Sequence, residues 1–169
     1  MAERSIVIYG DQVLREICDP VEEVNQDIKD LVSNLIDTLR RAQGLGLAAP
    51  QIGVTKRVFI VDISTVDITK KLTVFINPEI IETSEEEAEF EEGCLSFPGL
   101  YQKIDRPAKV RVRALDIDGN QFELNADGIT ARAILHENDH LNGVLFIDRM
   151  TSLARTMLAG RLKKLKKVS

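Results

Sequence analysis

The chain has 169 residues, of which 44% are apolar, and this length and composition predict one domain over residues 1–169 with a core of its own. The formal net charge of −5 argues against a surface that binds nucleic acid broadly, so we expect no DNA partner. No stretch approaches the ~20 consecutive apolar residues of a membrane span. The first ten residues, MAERSIVIYG, lack the apolar segment of a secretory signal, and we therefore expect a cytoplasmic protein without a membrane partner.

The first predicted helix covers VNQDIKDLVSNLIDTLRRAQ, residues 24–43, where apolar residues recur every three or four positions and form one buried stripe. Asn25 is a suitable N-terminal cap, and Gly44 is expected to end the helix. The stripe comprises Val24, Ile28, Leu31, Val32, Leu35, Ile36 and Leu39.

Four strand-like runs follow this helix: RVFIVDI, LTVFINPEI, KVRVRALDI and NQFELNA. The last two are joined through Asp118 and Gly119, a strong hairpin signal. The pattern predicts an antiparallel meander rather than an alternation of parallel strands and helices. The acidic stretch ETSEEEAEFEE, residues 82–92, is interpreted as a solvated loop or a sheet edge.

Two more helices are predicted in the last third of the chain. One begins at Asp127 or Gly128 and ends near Gly143, and the other extends from about Leu153 to Leu165, close to a lysine-rich end. The predicted fold is therefore of the α+β class, with antiparallel sheets packed around a central helix and with an N-terminal and a C-terminal helix beside them.

The central helix carries the only two histidines of the chain, His136 and His140, with Glu137 between them in the pattern H-E-x-x-H. Ile129 and Ala133 precede them on the same helical face, which predicts that both imidazoles point inward. Two imidazoles on one face beside a glutamate are typical of a hydrolytic metal site. The alternative is a chance match with two ordinary histidines, because three fixed positions are only moderately specific.

A tetrahedral ion needs a third protein ligand, and the sequence leaves few candidates. Downstream, the position of a third metzincin histidine is Phe146, and no glutamate follows the motif. Asp139 lies on another part of the helix and Asp148 lies beyond its end. Upstream, Cys94 lies in the glycine-flanked segment EEGCLSFPG and is the best candidate. Cys18 is expected to be a packed thiol, and neither cysteine is expected to form a disulfide.

The segment GLGLAAPQIG, residues 44–53, has glycines but lacks the lysine of a phosphate-binding loop. Its small side chains at Gly44, Gly46, Ala48 and Ala49 suit the close approach of an extended peptide. Gln51 offers a neutral amide donor of the kind that stabilises an oxyanion. The alternative is a plain helix-to-strand turn with Gln51 in solvent, and the segment taken alone favours that alternative.

The three segments GLGLAAPQIG, EEGCLS and HENDHLNG resemble the three signature motifs of the peptide deformylase family, in the same order and at similar separations. QVLREICDPVEEVN and ADGITARAILHE also resemble the family, so the similarity extends from Val13 to about Arg149. Leu135 departs from the glutamine that many members carry there, and residues 97–101 belong to a segment that varies among members.

The resemblance implies that Cys94, His136 and His140 are the metal ligands, with water in the fourth position. The ion would usually be Fe(II), which nickel, cobalt or zinc can replace. The implied reaction is hydrolysis of the formyl group from the N-terminal formylmethionine of nascent polypeptides, which releases formate. Glu137 would transfer the proton of the attacking water.

Further roles follow from the same resemblance. The oxyanion would be stabilised by the Gln51 side chain and the backbone N–H of Leu95. Arg106 would pair with Asp139 in support of the site, although a solvated surface pair is the competing interpretation. The substrate pocket would be lined by Gly44, Leu45, Gly46, Phe90, Glu92, Ile129 and Ala133.

The basic end of the chain suggests a further partner, because the resemblance implies docking on the ribosome through a C-terminal helix. A solvated helix end is the alternative for this segment, which contains Arg161, Lys163, Lys164, Lys166 and Lys167. Two other functions stay open at the level of sequence: a metallo-endopeptidase, which would share H-E-x-x-H, and a catalytically silent ribosome-binding protein.

Overall fold

The computed structural model describes residues 4–168, and within that range the predicted α+β class is confirmed. The three α-helices are α1 (Gln26–Ala42), α2 (Gly128–Leu141) and α3 (Ser152–Val168). The seven strands are β1 (Gly46–Ala48), β2 (Val58–Val61), β3 (Thr73–Thr83), β4 (Glu87–Cys94), β5 (Phe97–Pro107), β6 (Lys109–Leu115) and β7 (Gln121–Asp127). Short 3₁₀ turns lie at Gln12–Arg15, Ala49–Ile52 and Phe146–Arg149.

Five strands form one sheet in the order β1-β2-β3-β6-β7, and every neighbouring pair is antiparallel. The four strands and the hairpin predicted from sequence are confirmed, with Gly119 at a φ of 82° in the turn between β6 and β7. The sequence did not predict β1, which has only three residues and lies at the edge of the sheet.

The acidic stretch forms the end of β3 and most of β4, and β4 pairs with β5 in a separate two-stranded sheet. The sheet-edge interpretation is therefore the better of the two, and a solvated loop is wrong for most of the stretch. Pairing with β5 turns Glu92 inward, where only 5% of the residue is exposed.

Helix α1 packs the predicted stripe against the sheet, where Leu35 and Leu39 meet Val58 and Ile60. Asn25 caps it by accepting a hydrogen bond from the Ile28 N–H. The prediction that Gly44 ends the helix is wrong by one residue, since Gln43 takes the left-handed conformation at a φ of 61°.

The glycine at position 44 serves packing instead. A Cβ on Gly44 would lie 2.9 Å from Leu95 Cδ1, so this residue lets the segment before β1 approach the turn that follows β4.

Helix α2 lies between the two sheets and contacts β1, β2, β5, β6 and β7. Ala131, Ile134 and Leu141 are buried in the core that it shares with the five-stranded sheet. Asp127 precedes the helix and Gly143 follows its end, as the sequence predicted. Gly143 has a φ of 71° and lies close to the backbone of Arg15. The fold thus holds the histidine-bearing helix at the centre of the molecule.

Helix α3 spans more residues than the sequence predicted and packs Leu158, Leu162 and Leu165 on a cluster that includes Phe97 and Phe146. No helix in the described part of the chain is long and apolar enough to cross a membrane. Both cysteines are free thiols, as expected. Cys18 is packed in the core, and burial raises the pKa of its thiol to about 11.

Asp148 connects the 3₁₀ turn after α2 with the first 3₁₀ turn of the chain, because its carboxylate accepts hydrogen bonds from the Arg15 guanidinium as well as from the nearby Leu145 N–H. Burial alone would raise the pKa of this carboxyl, but these hydrogen bonds lower it below its usual value. The charged form is therefore stabilised by folding, and its contribution is complete above the ordinary carboxyl pKa of about 4 and disappears at lower pH.

We predict that Asp148→Asn lowers the free energy of unfolding at pH 7 by ~0.5–1 kcal/mol, since the pair is partly exposed to solvent. Urea unfolding at pH 7 and at about pH 3 checks this, because the difference from the parent protein should shrink at the lower pH. Asp105→Asn on an exposed position of β5 is the control. An equal loss of stability at both pH values would contradict the role given to the charge.

Candidate active site

Three side chains from strand β4 and helix α2 lie close together. Cys94 ends β4, while His136 and His140 lie one turn apart on α2. One potential ligand atom from each residue lies within 4.8 Å of the other two, and Cys94 Sγ is 3.5 Å from His140 Nε2. Ligands bonded to one ion at ~2.0–2.3 Å are separated by ~3.5 Å, so this spacing suits a single cation.

The orientation of His136 is fixed by a carboxylate on β4. His136 Nδ1 lies 2.8 Å from Glu92 Oε1, which leaves Nε2 for the cluster. Glu92 Oε2 also lies 2.6 Å from both Arg106 Nε and an Arg132 nitrogen. Burial would raise the pKa of Glu92, but hydrogen bonds from His136 and Arg106 hold it well below its usual range. The Glu92 carboxylate thus orients the imidazole, although the sequence assigned this residue to the substrate pocket.

The ion pair between Arg106 and Asp139 is present, with Arg106 donating to Asp139 Oδ2 at 2.8 Å. Arg106 is 3% exposed and Asp139 is 8% exposed, so the alternative of a solvated surface pair is wrong. Arg149 donates twice to the same carboxylate, at 2.9 and 3.1 Å. A continuous chain of charged groups therefore connects His136 with the turn after α2.

Glu137 lies between the two histidines and is 4% exposed. Its Oε1 atom is buried without a hydrogen-bond partner among the described residues. A Cβ on Gly46 would lie 2.8 Å from Glu137 Oε2, so only glycine in β1 leaves room for this carboxylate. Burial raises the pKa of Glu137 to about 7. A buried carboxylate oxygen with unused capacity beside three donor atoms fits a site that takes a cation and water.

The two imidazoles experience opposite electrostatic effects. Burial lowers the pKa of His136, but its hydrogen bond with Cys94 and the charges of Glu137 and Cys94 raise it well above the usual value. Burial and the charge of His136 hold the pKa of His140 well below its usual value. Since only neutral imidazoles ligate metals, a bound cation would replace the proton that this arrangement favours on His136.

Gln51 is 1% exposed, so the alternative that placed its side chain in solvent is wrong. Its Oε1 accepts a hydrogen bond from the Ala48 N–H at 3.0 Å, and its Nε2 donates to Ser96 Oγ at 3.2 Å. Nε2 also lies 3.6 Å from Cys94 Sγ. The 3₁₀ turn after β1 therefore aims one amide N–H at the cluster.

A cavity of about 260 Å³ opens beside these groups. It is lined by all seven residues that the sequence assigned to the pocket, namely Gly44, Leu45, Gly46, Phe90, Glu92, Ile129 and Ala133. Leu95 and Glu137 line it as well. A larger cleft of about 780 Å³ between β2, β3, β6 and β7 contains neither histidine nor cysteine, so the reactive groups belong to the smaller cavity.

Sequence reasoning missed two arginines of the site, Arg132 and Arg149. Arg132 lines the cavity and precedes His136 by four residues, so both lie on the same inward face of α2. An arginine on a buried helical face indicates a buried ion pair, and this signal was present in the sequence. Arg149 lies beyond the helix, and nothing in the local pattern connects it with Asp139. Phe146 occupies the position at which the metzincin pattern would have a third histidine. Its ring centroid lies 5.9 Å from that of His136.

Three side chains that could hold a cation, beside a buried carboxylate at the edge of a cavity, fit the class of metal-dependent hydrolases with the H-E-x-x-H pattern. Residues 3–156 match the family model described as polypeptide deformylase. The chain belongs to this family.

Relatives and solved structures agree with that assignment. Peptide deformylase of Clostridium botulinum is 50% identical over 151 residues, which cover 89% of this chain and 99% of the relative. That of Mesorhizobium japonicum is 44% identical over 167 residues, or 99% and 95% of the two chains. A crystal structure of a peptide deformylase from Legionella pneumophila matches with a TM-score of 0.89 at 44% identity and covers 99% and 97% of the chains. A plant peptide deformylase matches with a TM-score of 0.92 at 36% identity and covers 97% and 89%.

The two cysteines provide a direct test of the cluster. We predict that Cys94→Ser loses most of its bound metal, because a serine hydroxyl is a much weaker ligand than a thiolate. Cys18→Ala is the matched control and should retain it, since Cys18 is packed in the core. Elemental analysis after anaerobic purification measures both variants. Equal metal content in Cys94→Ser and the parent protein would remove Cys94 from the site.

Proposed function

We propose that this protein is a peptide deformylase that removes the formyl group from the N-terminal formylmethionine of nascent polypeptides and releases formate. The observation that carries the proposal is the meeting of Cys94, His136 and His140 beside Glu137 at the edge of a cavity with a partly apolar lining. We also propose that residues 1–169 form one catalytic domain, because the site draws on β1, β4 and α2 together.

The proposed cofactor is one divalent ion held by Cys94, His136 and His140. We propose Fe(II), with nickel, cobalt or zinc able to replace it, since a thiolate with two imidazoles accepts several of these metals. When bound, the ion supplies Lewis acidity that polarises the formyl carbonyl and makes water a stronger acid.

Glu137 is the proposed general base. Its carboxylate is adjacent to the ligands and has an unpaired oxygen, so it can take a proton from the attacking water and later give it to the leaving amine. Gly46 keeps this carboxylate in place, because any side chain there would push it away from the cluster.

The oxyanion that forms on the formyl group is proposed to be stabilised by Gln51 Nε2 and by the backbone N–H of Leu95. Gln51 is held by Ala48 and Ser96 before any substrate binds, so little reorganisation is needed. Loss of one such donor typically lowers the rate ~100-fold to 1,000-fold.

The proposed substrate contacts follow from the shape of the site. The apolar parts of Leu45, Phe90, Ile129 and Ala133 suit the unbranched side chain of methionine. Strand β1 pairs only with β2 in the described sheet, so its second edge can pair with an extended peptide.

We predict that Glu137→Gln retains the metal but lowers kcat/KM by ~100-fold to 10,000-fold, because the amide cannot transfer a proton. Formate release from a formyl-methionyl peptide measures the effect. Glu91→Gln is the matched control, since this exposed carboxylate lines the same cavity without reaching the ligands. Parental turnover in Glu137→Gln would contradict the role of the base. Cleavage of an internal bond in a blocked peptide would favour an endopeptidase instead.

We also propose that α3 docks the protein on the ribosome, which places the enzyme in the cytoplasm where formylated chains emerge. Three of its cations have partners within the protein: Arg155 pairs with Asp148, Arg161 donates to the Gly99 carbonyl oxygen at 2.6 Å, and Lys166 lies over the Tyr9 ring. Lys163, Lys164 and Lys167 are exposed and can contact rRNA phosphates.

We predict that the triple substitution of Lys163, Lys164 and Lys167 by glutamate abolishes cosedimentation with ribosomes, while formate release from a short peptide is unchanged. The matched control replaces Lys70, Lys71 and Lys109, three exposed lysines around the larger cleft. Undiminished cosedimentation of the α3 variant would contradict docking through this helix.

A further inference from the structure

Arg132 lies on α2 one turn before His136 and is 8% exposed, although it carries a full charge. Its guanidinium has three acceptors: Glu92 Oε2 at 2.6 Å, the Ile104 carbonyl oxygen at 2.8 Å and the Ala88 carbonyl oxygen at 2.6 Å. The Phe90 ring covers it at 5.3 Å from the guanidinium carbon. A buried arginine with this many directed contacts is held in a single orientation.

These acceptors belong to both strands of the β4–β5 hairpin. Ala88 and Glu92 lie on β4, and Ile104 lies on β5. Arg132 therefore fastens the hairpin to the helix. Since the hairpin provides Cys94 and the helix provides both histidines, this contact sets how the two halves of the metal site face each other.

The Glu92 carboxylate connects Arg132 with His136. Arg132 and Arg106 both hold Oε2, while Oε1 faces His136 Nδ1 at 2.8 Å and also accepts from Arg106 at 3.1 Å. Arg106 comes from the same hairpin as Glu92 and reaches α2 through Asp139, one turn after the first histidine. Arg132 is on the same helix as His136 and grips the same carboxylate one turn away.

We propose that Arg132 is a positioning residue for the metal ligand His136 and that it acts through Glu92. The inference rests on the proposed metal site, but it concerns the affinity for the ion rather than the identity of the substrate. It also gives a reason for a cation in the wall of the cavity, since both terminal nitrogens of Arg132 donate to the hairpin.

Arg132→Met tests the proposal, because methionine preserves the apolar stem and removes every donor. We expect the affinity for Zn²⁺ or Co²⁺, measured by competition with a chelator, to fall roughly tenfold to a hundredfold, the range found when the partner of a ligating histidine is disturbed. Arg132→Lys preserves the charge but lacks the planar fork, so we expect a similar loss. The lysine variant also keeps the test available if the methionine variant does not fold.

Arg111→Met is the matched control. Arg111 lies on β6, away from the site, and donates a hydrogen bond to the Glu123 carboxylate at 3.0 Å. Its metal affinity should equal that of the parent protein. Parental affinity in both Arg132 variants, or full recovery by lysine, would overturn the proposal.

A double-mutant cycle with Glu92→Gln separates positioning from general stability. If Arg132 acts through Glu92, the double variant loses no more affinity than Glu92→Gln alone. Independent, additive losses would overturn the proposal even if each variant binds weakly. Formate release by the parent protein, assayed in parallel, tests the proposed function separately. If the parent binds metal tightly but releases no formate, the deformylase proposal is contradicted. The role of Arg132 is then still decided by the metal affinities of the variants.

Discussion

The buried carboxylate of Glu92 is the contact on which the rest of the site depends. It accepts hydrogen bonds from Arg106 and Arg132 and faces His136, so the hairpin, the central helix and a candidate metal ligand meet at two oxygen atoms. Removing ions from water is costly, and a buried carboxylate is stable only when its lone pairs are used. The four polar contacts of Glu92 meet that condition and restrain its position, and hence that of the imidazole.

Around this carboxylate the charges do not cancel. Arg106, Arg132 and Arg149 bring three guanidinium groups, while Glu92 and Asp139 bring two carboxylates. The excess positive charge offsets the negative charge of Glu137, the third buried carboxylate of the site.

Much of the fold was predictable because its elements carry local patterns. The stripe of α1, the β6–β7 hairpin and the histidine face of α2 can each be read from fewer than about twenty residues. Strand β4 was not predictable in this way, because its glutamate-rich composition is atypical of strands and its stability comes from pairing with β5. For the same reason the partner of His136 was missed: the sequence shows that Glu92 precedes Cys94, but only tertiary contact shows what its carboxylate touches.

The division of the ligands between a hairpin and a helix has a further consequence. Cys94 and His140 are 46 residues apart in the chain, so an ion bound to both acts as a removable cross-link across a long loop. The unfolded chain has no preformed site, and binding energy is therefore also folding energy. If the proposed ion binds there, resistance to heat and to proteolysis should rise and fall with metal supply, and the ion would set the lifetime of the protein as well as its chemistry.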